Sequence, residues 1–191
     1  TLNSGGGTVS LTAQGLIQVS HIVAAPYISR LADRVNTSTA ASSADVSLNA
    51  QGGSIVFISG VDGPAISANP LSLRASGGVD ALTIAASELE AQVGSGNLVL
   101  VDQDGLSGAT GLSLQNVVVT AGSLNVQAQG TLRVTKVQVA DAANITLKSL
   151  TGDLILTAQD ALGGNLGGLT LFAAGFISSG RLFSGSQRTE Y

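Results

Sequence analysis

The segment Val101-Asp102-Gln103-Asp104-Gly105 holds the residues best suited to chemistry in this chain. Asp102 and Asp104 are two apart, so a continuing strand puts both carboxylates on one face. Paired carboxylates are the groups that glycoside hydrolysis uses as acid and base or nucleophile. They are also hard oxygen ligands of the kind calcium takes. The plainer reading is a polar turn, because Asp beside Gly is favoured in turns for conformational reasons alone. That reading is preferred here, with a calcium site on Asp102 and Asp104 and a polysaccharide-cleaving pair kept as alternatives. No calcium-binding nonapeptide of the G-G-x-G-x-D type is present.

Other candidates are weaker. His21 is the only histidine, and no cysteine exists to join it in a metal site. No G-x-S-x-G elbow precedes a helical pattern, which leaves the many serines without a nucleophile signature. The Gly-rich runs at residues 4–7 and 163–168 lack the Lys of a phosphate loop and read as turns. Arg30, Asp33 and Arg34 form a solvated charge cluster. Arg181, Arg188, Glu190 and Tyr191, close together in the tail, are the candidate interface residues. No catalytic residue is assigned, no cofactor is expected, and the chain is read as a non-enzyme.

The elements that would carry these residues are strands. Apolar-x-apolar pairs recur ahead of a glycine: Val9 and Leu11 before Gly15, Val46 and Leu48 before Gly52, Leu98 and Leu100 before Gly105. Leu124 and Val126 precede Gly130, Ile145 and Leu147 precede Gly152, and Leu169 and Leu171 precede Gly175. Strict alternation marks a strand with one buried face, and glycine supplies the turn. Three copies share the Ala-Gln-Gly ending, at Ala13, Ala50 and Ala128, and small residues there suit a bend with little room. The glycine steps are 37, 78, 22 and 23 residues between Gly15, Gly52, Gly130, Gly152 and Gly175. They approximate one, two or four units of about 20 residues, the mark of a stacked repeat.

Residues 26–35 place Ile28, Leu31 and Val35 at helical spacing. The likeness of the segment at Val35 to that at Val79 favours strand or loop there instead. The expectation is an all-β fold: a parallel β-helix (β-solenoid) with coils of about 20 residues. Residues 1–191 then form a single solenoid segment, with 16–34 and 178–191 irregular.

Composition agrees with this. The 191 residues are 44% hydrophobic, 10% charged and 3% aromatic, with 25 Gly. That hydrophobicity excludes a disordered chain. A net charge of −4 without a basic run disfavours nucleic acid as a partner. No apolar stretch is long enough for a membrane-spanning helix. The chain has no Met and no visible signal peptide, so it is expected to be a processed or excised piece of something longer.

The segments at 96–106, 144–160 and 167–177 resemble coils of the filamentous-haemagglutinin-like exoproteins, giant repetitive bacterial surface proteins. The likeness spans most of residues 35–177. It implies a right-handed parallel β-helix, secretion, display on the bacterial cell surface or outside the cell, and a structural or adhesive role in a fibre. The export domain of that family is not recognisable here. Implied partners are further coils or another copy of the chain, head to tail, together with cell-surface glycans or other surface proteins. A polysaccharide-active enzyme and a passive spacer are the alternative functions. Few aromatics and few charges argue against the enzyme.

Overall fold

The structure is a computed structural model that describes residues 2–4, 7–24, 45–58, 63–103, 111–158 and 160–179. Among them the chain forms strands and turns, with no helix. In chain order the strands are β1 Leu2–Asn3, β2 Val9–Ala13, β3 Ile17–Val19, β4 Ile22–Val23, β5 Val46–Ala50, β6 Ile55–Phe57 and β7 Ile66–Ala68. Next come β8 Leu71–Ala75, β9 Val79–Ala86, β10 Glu88–Val93, β11 Leu98–Asp102, β12 Gly111–Val119 and β13 Leu124–Ala128. The last are β14 Thr131–Val134, β15 Val137–Val139, β16 Asn144–Ser149, β17 Leu154–Leu156, β18 Leu162–Gly163, β19 Gly168–Ala173 and β20 Ile177–Ser179.

These strands make two ten-stranded sheets. The first runs β1-β4-β7-β9-β11-β13-β16-β19, with β3 and β6 attached beside β9. The second runs β2-β5-β8-β10-β12-β14-β17-β20, with β15 and β18 attached beside β12. Every pairing is parallel. Parallel neighbours need a long crossover between them. Here a strand of the other sheet supplies it: from β8 to β14 the chain switches sheet at every step.

Side-chain alternation builds the core. Leu98, Leu100 and Asp102 face inward on β11 while Val99 and Val101 face outward. In register, Leu98 lies beside Leu124, Leu124 beside Ile145, and Ile145 beside Leu169. A second column runs Leu82, Leu100, Val126, Leu147 and Leu171. Apolar residues of both sheets belong to one buried cluster. Within it Leu82, Leu100, Val126 and Leu147 have no solvent exposure at all.

The Ala-Gln-Gly repeat is split by the fold. Its first two copies are neighbours in the second sheet, with Val9 to Ala13 in register with Val46 to Ala50. There the Gln14 amide Nε2 donates to Gln51 Oε1 at 2.6 Å. The third copy, ending in Ala128, lies in the first sheet. Ala50 and Ala128 are fully buried and close their strands, as expected of small residues at a bend.

Two expectations need correction. The stretch 16–34, expected to be irregular, contains β3 and β4, with Ile17, Val19 and Ile22 buried. These strands are only three and two residues long, too short to display a repeat of their own. The Gly-rich run 163–168 is not all turn, because Gly163 ends β18 and Gly168 begins β19. In the tail, Ser178 and Ser179 continue β20. The helix-or-strand question at residues 26–35 lies outside the described residues.

Candidate functional site

Asp102 occupies an inward position. It is 2% exposed and stands in register between Ile84 and Ala128. Its Oδ1 accepts a hydrogen bond from the Ala86 backbone N–H at 3.2 Å. Gln103, the next residue, is half-buried. The carboxylate is therefore buried and binds backbone within the fold. Asp104 lies outside the described residues. So do Arg181, Arg188, Glu190 and Tyr191, and so do Arg30, Asp33 and Arg34.

This placement yields a test. Asp102→Ala leaves the buried Ala86 N–H without that acceptor, a loss of about 1–3 kcal/mol. Asp102→Asn keeps an oxygen at the same point and should cost clearly less. Urea unfolding of the two variants checks the order, and equal losses would contradict it.

His21 is half-buried between β3 and β4. Among the described residues its Nδ1 has no hydrogen-bond partner, and its carbonyl oxygen accepts from Leu2 N–H at 2.9 Å. Among the described residues no group of three His, Cys, Asp or Glu side chains comes together as a metal site.

What the fold does assemble is a groove that no motif announces. It lies on the outer face of the second sheet, where β5, β8, β10 and β12 run side by side, and has a volume of about 490 Å³. Asn49, Arg74 and Gln92 line it from successive strands and are in register with one another. Gln51, Ser76 and Thr120 line it at the adjoining turns.

The groove wall is pinned. Ser76 Oγ donates to the Gln51 carbonyl at 2.8 Å, and Thr120 Oγ1 to the Gly94 carbonyl at 3.0 Å. Beside it β12 carries a bulge. Leu89 pairs with Leu114 but Glu90 pairs with Asn116, so Gln115 is the extra residue. Bulges re-aim side chains and bend the strand that holds them.

Only one sequence feature hinted at the groove: Asn49, Arg74 and Gln92 are all outward positions of alternating strands. That they meet depends on register, which strand-level alternation does not carry.

Comparison with protein-family models, with curated proteins and with solved structures finds no match, so none of the three links the chain to the filamentous-haemagglutinin-like proteins.

Proposed function

We propose that the chain is a segment of a β-solenoid with a structural or adhesive role in a bacterial cell-surface or extracellular fibre, and with no catalytic role. The alternation of a single chain between two wholly parallel sheets carries this reading. A chain that returns to the same sheet after each visit to the other winds round a common core. The register supports a winding of about 20 residues: Leu124 to Ile145 is 21 and Ile145 to Leu169 is 24. The right hand is the one that parallel crossovers take almost without exception. The buried columns then act as the spine of a rod. Few charges and a polar, small-residue outer surface suit a passive or adhesive shaft better than a catalyst.

The outermost strands support stacking end to end. On β2 Leu11 is 37% exposed, and at β20 Ile177 is 50% and neighbouring Phe176 80% exposed. Outer strands offer unpaired backbone groups as a template for further strands. Coils of a longer chain, or a second copy head to tail, would cover both. A head-to-tail contact does not close on itself and so builds a filament.

Sedimentation velocity across a wide concentration range, with electron microscopy, tests this. The 191-residue chain should form elongated species that grow with concentration, and Ile177→Lys should shorten them. A monomer at every concentration would overturn the self-association.

A further inference from the structure

We propose that the groove across β5, β8, β10 and β12 binds a linear glycan of uronic acid residues, with Arg74 holding a sugar carboxylate. The proposal rests on the adhesive reading above and names the site and the ligand class for it.

The side chains of Asn49, Arg74 and Gln92 make no hydrogen bond or ion pair among the described residues, and all three line the groove. Arg74 and Gln92 are exposed and Asn49 is half-buried. Neighbouring strands are ~4.8 Å apart, so the three donors form a row with that spacing. This is close to the step of one sugar in an extended glycan. An open groove crossing several strands fits a chain better than an enclosed small molecule.

The lining chooses the class of chain. Amides from Asn49, Gln51 and Gln92 and hydroxyl oxygens from Ser76 and Thr120 match a ligand rich in hydroxyl groups. No aromatic side chain among the described residues lines the groove, so hydrogen bonds and charge, not ring stacking, are what it offers there. Among the described residues Arg74 is the only charged one in the lining. A guanidinium offers two parallel donors that match a carboxylate, and such charge-assisted bonds are the stronger kind. Glu90, in register between Ser72 and Asn116 on the adjoining outward row, is also exposed. It opposes a polyanion with several charges per sugar more than one with a single carboxylate per sugar.

Calorimetric titration of the full chain with oligogalacturonate tests the proposal. The expected result is salt-sensitive binding that Arg74→Gln weakens at least about tenfold. Arg133→Gln, on the outer face of β14 and away from the groove, should leave it intact. Neutral cello-oligosaccharide should bind more weakly than the uronate, as should sulfated dextran. Equal binding by wild type and Arg74→Gln would overturn the site. Equal binding of polyglutamate would overturn the glycan class, and no binding by wild type would overturn both. Arg74 is exposed, so the variant should keep its melting temperature and its sedimentation behaviour. If self-association survives while binding fails, the groove is wrong and the fibre reading stands.

Discussion

Leu100→Asp is expected to abolish folding of the chain, seen as loss of the β-type circular dichroism signal and of the cooperative melting transition. Leu100 has no solvent exposure and lies in register between Leu82 and Val126, both equally buried. An aspartate there has an apolar neighbour on each adjoining strand and no partner for its charge. Desolvating an unpaired carboxylate costs several kcal/mol even after relaxation. The lost burial of a leucine side chain adds about 1.5–3 kcal/mol. Domain stability is typically only about 5–15 kcal/mol, so the sum removes most or all of it. Leu100→Ala provides the graded control. It should unfold at lower urea, with a loss of about 2–5 kcal/mol. A Leu100→Asp protein that melts like wild type would mean the column is not buried as described.

Gly122→Ala carries the second large effect, and it arises from backbone packing. Gly122 has a φ of +141°, a conformation that side chains rarely adopt. A Cβ there would overlap the backbone of Gly96, lying 2.6 Å from its carbonyl carbon and closer still to the oxygen. The turn cannot simply move away. Ala121 N–H donates to the Gly94 carbonyl at 2.8 Å, and Ser123 N–H to Asn97 Oδ1 at 2.9 Å. The strained conformation costs about 1–3 kcal/mol. The overlap adds about 1–3 kcal/mol more. Gly15 is the matched control, with no atom within 4 Å of an added Cβ. Urea unfolding should find Gly15→Ala close to wild type and Gly122→Ala destabilised by several kcal/mol. Similar midpoints for the two variants would contradict the close stacking of these turns.

Much of the strand content was legible in single residues. Leu98 with Leu100, Leu124 with Val126, and Ile145 with Leu147 alternate because one face of each strand is buried, and that period is local. These strands are consecutive neighbours in the first sheet. The glycine rule overlooked Leu71–Ala75, Glu88–Val93 and Gly111–Val119, which form the middle of the second sheet. Their connections vary too much for a fixed period: Leu71 to Leu89 is 18 residues, and Leu89 to Leu114 is 25. Of the candidate sites, the residue type at Asp102 was visible, but its buried acceptor role was not. Its partner, Ala86 N–H, comes from the preceding strand of the same sheet, 16 residues back.

By itself the sequence determined that the chain builds strands with one apolar face, turns at glycines, and contains no thiolate or disulfide. Each of these follows from residue type and from spacing over two to six positions, which local geometry converts directly into structure. Only the tertiary structure decided which sheet each copy of Ala-Gln-Gly joins, that the Asp102 carboxylate points inward, and that Asn49, Arg74 and Gln92 share one groove. Those outcomes depend on register between strands roughly 20 residues apart. A shift of one residue in that register moves every side chain to the opposite face, and the packing of the whole core, rather than any single segment, selects among the shifts.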